Sequence, residues 1–253
     1  MLTFKESCIG VMKLSKPPVN SLNLEYLTEF NIAIEKLEND KSCRGVIITS
    51  ALPKIFSAGL DILEMYQPNT DRLRQFWTQV QQLWINLYGS QVATVAAING
   101  HAPAGGCLVS LSCDYRIMAP NYTIGLNETQ LGIVAPFWFS DTITNTIGFR
   151  KAERALQLGY MFTTDEAKAC GLIDKIVPPD QIMAVAHEEM KKMFAVPDFA
   201  RQITKNQCRK QFIDKLHAKR DADTDNFVNF ITKDSIQKAM GKYLESLKKR
   251  KSG

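Results

Sequence analysis

The order strand, helix, strand within residues 8–50 restricts the fold more than any other feature of the chain. Cys8 to Leu14 is an apolar run stopped by Pro17-Pro18, the pattern of a short strand before a turn. Leu24, Leu27, Phe30, Ile34 and Leu37 then recur at three- and four-residue steps, the spacing of one helix face. Asn20 or Ser21 is placed to cap that helix, which runs to about Asn39. Gly45-Val46-Ile47-Ile48-Thr49-Ser50 is too short for a helix and rich in β-branched residues, so it reads as a buried strand. Two strands joined through a helix predict a parallel sheet.

The same grammar continues. Phe76, Val80, Leu83, Trp84 and Leu87 mark a helix, Val92 to Ile98 a strand, Ala104-Gly105-Gly106 the opening of a helix through Leu111, and Tyr115 to Met118 another strand. From about Arg150 the pattern is helical almost to the end, broken at Gly159, Gly171, Pro178-Pro179 and Pro197. The expected organisation is an α/β core over residues 1–195 and a helical segment over 196–253. No run approaches the roughly 18 apolar residues that cross a bilayer. With 45% hydrophobic and 23% charged residues, the composition excludes wholesale disorder.

Charge is uneven. Residues 201–253 carry 14 Lys or Arg against 6 Asp or Glu, whereas residues 1–200 carry 17 against 20. A basic end is either a solvated helical face or a surface for an anionic partner. The six cysteines occur singly, without the C-x-x-C pairing of zinc or redox motifs, and Cys43, Cys107 and Cys113 sit among apolar or small residues, as buried free thiols do. That usage points to a reducing compartment. No signal or transit pattern precedes the first strand-like run, the start that a chain with its transit peptide already removed would also have.

Two glycine turns follow strands and carry the first candidate chemistry. Phe56-Ser57-Ala58-Gly59-Leu60-Asp61 comes after the strand at 45–50, and Asn99-Gly100-His101-Ala102-Pro103-Ala104-Gly105-Gly106-Cys107 after the strand at 92–98. Ligands of open α/β sheets bind beyond the carboxyl ends of strands, where helix N-termini offer unpaired N–H groups. Two such loops can aim two donors at one oxygen; equally, each glycine can serve only a tight turn. No phosphate loop, dinucleotide fingerprint or nucleophile elbow is present, and His101 reads as a turn residue. The third candidate is Glu128, in Gly125-Leu126-Asn127-Glu128-Thr129-Gln130-Leu131-Gly132. It has no Lys or Arg for eleven residues before it or twenty-one after. Buried among Leu126, Leu131, Ile133 and Val134 without a cation, its carboxyl is suited to proton transfer; otherwise it is a solvated loop residue.

These segments, with Ala97-Ile98-Asn99-Gly100, Cys113-Asp114-Tyr115-Arg116-Ile117 and Gly159 to Gly171 leading into Val177-Pro178, resemble the crotonase (enoyl-CoA hydratase/isomerase) superfamily over nearly the whole chain. Residues 125–132 followed by Ala135-Pro136-Phe137-Trp138 are most similar to its mitochondrial double-bond isomerases. The resemblance implies a crotonase-like ββα spiral core with a C-terminal helical trimerisation region, and an oxyanion hole made of the Leu60 and Gly105 N–H groups. It puts Ala58, Gly59, Leu60, Asp61, Ile62, Gly105, Leu108, Asn127, Phe137 and Trp138 at the substrate, with Phe137, Trp138 and Leu108 either walling an acyl pocket or filling core. Of the two glutamates that the family's hydratases use, the second falls on Glu128 and the first on Leu108.

Hydration needs one group to activate water and another to handle the α-proton, and leucine does neither. A 1,3-shift of a double bond needs one base. The implied activity is therefore isomerisation of 3-enoyl-CoA to trans-2-enoyl-CoA in the β-oxidation of unsaturated fatty acids, by Glu128 with the hole at Leu60 and Gly105. No metal and no cofactor is implied, coenzyme A being part of the substrate. The expected partners are fatty enoyl-CoA thioesters and two further copies of the chain, with no nucleic acid and no membrane insertion, in the mitochondrial matrix. An enoyl-CoA hydratase, an RNA-binding crotonase homologue and a catalytically silent scaffold are the alternatives.

Overall fold

A computed structural model describes the backbone of residues 1–251 and the side chains of residues 1–246. Among the described residues, ten strands form two sheets. Strands β1 (Leu2–Glu6), β2 (Ile9–Leu14), β3 (Gly45–Ser50), β5 (Ala93–Ile98), β7 (Tyr115–Met118) and β10 (Lys175–Ile176) make the larger one, in the order β1-β2-β3-β5-β7-β10. It is parallel throughout except for the β1–β2 hairpin at its edge. Every residue of β3 and β5 is buried, because both faces of a parallel sheet are covered and its strands must be apolar on both sides.

The smaller sheet runs β4 (Lys54–Ile55), β6 (Gly100–Pro103), β8 (Thr123–Gly125), β9 (Phe162–Thr163). Three times (β3–β4, β5–β6 and β7–β8) the chain lays one strand in the larger sheet, turns a corner, lays a short strand in the smaller, and goes on towards the next helix: α2 (Thr70–Tyr88) after β4, α3 (Gly105–Ser112) after β6. Asn99-Gly100, read from sequence as a break, is one of these corners. The Asn99 amide donates to the carbonyls of Ser50 and Leu52. A Cβ on Gly100 would lie 2.1 Å from the Lys54 carbonyl carbon, so only glycine lets the two backbones cross. His101 correspondingly lies in β6, not in a free turn, and its Nδ1 accepts from the Thr123 N–H at 3.1 Å.

Helix α1 (Leu24–Asn39) is capped by Asn23, whose side chain accepts from the Tyr26 N–H, a contact typically worth about 1 kcal/mol. Asn20 and Ser21, the sequence candidates for that cap, do other work beside the candidate site. Helices α4 (Phe137–Ile147), α5 (Phe149–Leu158) and α6 (Thr164–Cys170) cover the region after β8, and α7 (Ile182–Phe194) covers the opposite face of the larger sheet. Helix α8 (Asp198–Ile231) starts after Pro197 and is followed by α9 (Asp234–Lys251).

Helix α8 packs onto the core. Phe227 stacks on Trp77 with ring centroids 3.6 Å apart. One buried carboxylate oxygen of Asp223 accepts from the indoles of Trp77 and Trp138 and from the Gln81 amide, at 2.8, 3.2 and 2.9 Å. Phe230, Ile231 and Ile236 also pack against the chain's own core, whereas Phe199 and Ile203, nearer the start of α8, stay exposed. Several basic residues of this region are held in ion pairs: Lys205 and Arg209 both pair with Asp114, Lys210 with Asp214, and Lys215 with Asp141. Cys43, Cys107 and Cys113 are buried free thiols, as their neighbours in the sequence predict. No helix among the described residues is long and apolar enough to cross a membrane.

Candidate active site

The site lies where the smaller sheet ends. Beyond β4, the segment Phe56–Asp61 is held from below by residues that follow Pro17-Pro18. Asn20 is fully buried with φ +52°, and its amide donates to the Phe56 carbonyl and to Ser50 Oγ at 2.9 and 2.8 Å. Ser57 Oγ donates to the Asn20 carbonyl and accepts from the Gly59 N–H, and the Ala58 N–H donates to Val19. Gly59 O accepts from Leu22 N–H while Asp61 N–H donates to Leu22 O. Because successive N–H groups of extended backbone point to opposite sides, tying residues 59 and 61 to Leu22 turns the Leu60 N–H the other way. Among the described residues it has no protein acceptor.

The second donor comes from the start of α3. Helix N-termini leave their first N–H groups unpaired, and the Gly105 N–H has no acceptor among the described residues. The two loops touch: a Cβ built on Gly59, itself at φ +84°, would lie 2.7 Å from Gly105 N, and one built on Gly105 would lie 3.1 Å from Leu60 N. Two free N–H groups thus sit side by side, which is what an oxyanion hole requires. Gly105→Ala would put a methyl between them. Steady-state kinetics should then show kcat/KM lower by about 10²-fold, the usual cost of one lost donor; an unchanged value would place the hole elsewhere.

Glu128 opens a short 3-10 turn, Glu128–Leu131, three residues beyond β8. Strand β8 pairs with β6, and Gly125 O accepts the Ala104 N–H at 2.8 Å, so the carboxylate and the second donor leave the same end of the smaller sheet. The side chain is buried, 6% exposed, and Oε2 has no hydrogen-bond partner. Burial pushes the carboxyl up to about 7, with no cation nearby to hold it down. Cys107, one turn into α3, has its thiol pushed up first by burial and then by the Glu128 charge, which puts the carboxylate beside that helix. Glu128 also lines a cavity of about 180 Å³ with Val134, Ala135, Ser140 and Leu156. The buried alternative for Glu128 is the one the fold realises.

The other sequence candidates divide. Leu108 is buried in the first turn of α3, three residues past Gly105. Asn127 is half-buried with Oδ1 enclosed and unpartnered. Asp61 has a local duty, capping the 3-10 turn Ile62–Glu64 through the Leu63 N–H and accepting from Ser21 Oγ, and Ile62 packs against the core. Phe137 is half-buried with the Lys215 and Lys219 ammoniums over its ring at 4.9 and 5.9 Å. Trp138 is enclosed by Trp77, Trp84 and Phe139, and Asp223 takes its N–H. Of the two readings the sequence leaves for Trp138, pocket wall or core, this enclosure corresponds to core. Asn20 is the site residue that sequence reasoning assigned elsewhere. Its signal was available, since Asn after a proline pair is a residue that tolerates positive φ. Among the described residues no group of three or more His, Cys, Asp or Glu is arranged to hold a metal ion.

A family model described as enoyl-CoA hydratase/isomerase matches residues 4–252. The chain belongs to that family. Among its relatives, mitochondrial enoyl-CoA delta isomerase 1 of Mus musculus is 59% identical over 245 residues, spanning 96% of this chain and 85% of that protein. The Homo sapiens protein of the same description is 56% identical, spanning 96% and 81%. The crystal structure of human mitochondrial delta3-delta2-enoyl-CoA isomerase superposes with a TM-score of 0.97 at 54% identity, covering 99% of this chain and 98% of that one. The two-sheet spiral with its terminal helices is thus the crotonase fold of the enoyl-CoA hydratase/isomerase family. Within that family the site described here has one buried carboxylate, at Glu128, and a leucine at 108.

Proposed function

We propose that this chain moves the double bond of a 3-enoyl-CoA to give trans-2-enoyl-CoA, with Glu128 as the only acid–base group. The observation that carries the reading is the pairing of one buried carboxylate of near-neutral pKa, its Oε2 unpartnered, with two adjacent N–H groups that have no acceptor among the described residues. The thioester carbonyl accepts hydrogen bonds from Leu60 and Gly105. Glu128 removes a C2 proton, and the electron pair moves into a dienolate whose oxygen carries the charge. The two donors stabilise that oxyanion, each worth roughly 10²–10³ in rate. Glu128, now neutral in a site that favours its neutral form, returns the proton to C4, and a positioned base of this kind contributes about 10²–10⁴. The names of the relatives support the same reaction and a mitochondrial location; the matrix is our reading of where β-oxidation substrates meet it. We read the assembly as a homotrimer, with the exposed apolar residues Val196, Phe199 and Ile203 available to a second copy.

An RNA-binding role is disfavoured because Asp221, Asp223 and Asp225 interrupt the basic segment and Lys205 and Arg209 are committed to Asp114, whereas nucleic-acid binding needs a continuous run of cations to meet phosphates. The test is absorbance at the conjugated enoyl-thioester band with a 3-enoyl-CoA substrate, followed as a function of pH. The ionised carboxylate is the base. With its pKa raised to about 7, kcat/KM should climb with pH and level off above about 7. No absorbance change at any pH would remove the proposal, and a profile flat through neutrality would remove Glu128 from it.

A further inference from the structure

Ala104 holds a backbone conformation that L-residues avoid, φ +49° and ψ −120°, and it does so immediately before the second donor of the hole. These angles match the first central residue of a type II′ turn, a position glycine normally takes. The conformation is held from both sides: the Ala104 N–H donates to Gly125 O at 2.8 Å and its carbonyl accepts from the Leu108 N–H at 3.0 Å. The residue is buried, and its methyl faces the first loop, since a Cβ built on Gly59 would come within 2.9 Å of it. The peptide between Ala104 and Gly105 carries the donor N–H, so the angles at Ala104 set where that N–H points, and the methyl sets how close the two loops approach. Strain of this kind persists only where surrounding structure over-determines it, and it concentrates at functional sites.

We propose that Ala104 is a positioning residue for the oxyanion hole: its strained turn aims the Gly105 N–H, and its methyl spaces that donor from Leu60. This rests on the isomerase reading above. The consequence is a separation of stability from activity. Ala104→Gly removes the methyl and lets the turn adopt a conformation natural to glycine, so the fold should be held at least as well, the relief of strain offsetting glycine's larger entropy loss. The donor is then free to wander, and misplacement of a catalytic group by about 1 Å costs on the order of 10²-fold. The full chain carrying Ala104→Gly should show kcat reduced by roughly tenfold or more, a smaller change in KM because the donors act mainly on charge that develops in the transition state, and Tm equal to or above that of the unmodified protein.

A second readout needs no turnover. A bound trans-2-enoyl thioester should show a red-shifted absorbance band in the unmodified protein, because the two donors polarise its carbonyl, and a smaller shift in Ala104→Gly. An unchanged kcat with an unchanged band shift would overturn the inference, as would parallel falls in kcat and Tm, which mark a residue that only supports the fold. If the unmodified protein failed to isomerise 3-enoyl-CoA, the functional reading would fall by itself, and the band shift would still decide whether Ala104 aims a donor at a thioester.

Discussion

Glu128→Gln is expected to fold and to lose between about 10²- and 10⁴-fold in kcat, because the amide matches the carboxylate in shape but cannot accept the C2 proton. The loss should fall on kcat and kcat/KM alike, the signature of an interaction made in the transition state. The same variant should be more stable than the unmodified protein at neutral pH. The folded Glu128 pKa of about 7 lies above its ordinary 4.5, so the unfolded chain ionises first as pH rises. Stability from this group is complete below about pH 4.5, declines to about pH 7 and is constant above it, a change of about 3 kcal/mol. Glutamine does not titrate. Thermal unfolding of the two proteins at about pH 5 and about pH 8 should therefore show Glu128→Gln gaining on the unmodified chain at the higher pH. A Glu128→Gln protein that keeps more than about a tenth of the activity would end the assignment.

Much of this was legible in the sequence, and the residues explain which parts. Gly45–Ser50 and Tyr115–Met118 are strands with the boundaries their apolar runs imply, because a strand covered on both faces must be apolar throughout. The second sheet was not legible. Its strands β4, β6, β8 and β9 have two to four residues each, too few for any periodicity to register. Edge strand β1 is exposed along its whole length and has no buried face, and its five residues carry only Leu2 and Phe4 as an apolar signal. Helix α4 has no counterpart among the elements read from the sequence, although Trp138, Phe139, Thr142 and Ile143 share its buried side.

At the site, residue type revealed what chemistry demands and concealed what geometry demands. A glutamate far from any cation and a leucine where hydratases carry an acid are chemical signals, readable by position. Ala104 is the opposite case: alanine is the least remarkable residue for a helix start, and nothing in its neighbours announces φ +49°. Asn20 was read as a helix cap because Asn favours caps, yet Asn also favours left-handed backbone. Only the packing of the 56–61 segment against it selects the second use.

The partition between isomerisation and hydration is the second large effect expected. Leu108 is buried and apolar in the first turn of α3. In the proposed mechanism no second carboxylate stands at this position to orient or deprotonate a water at C3, so hydration would forgo about 10²–10⁴ of general-base assistance, and the leucine side chain would keep water from that carbon. Isomerisation would lose nothing, because in the same proposal Glu128 serves both C2 and C4. The most direct measurement is therefore one incubation of purified protein with 3-enoyl-CoA, its products separated and counted over time. The predicted result is accumulation of trans-2-enoyl-CoA, with 3-hydroxyacyl-CoA forming at least about 10²-fold more slowly. Equal rates of isomerisation and hydration would contradict the single-carboxylate mechanism.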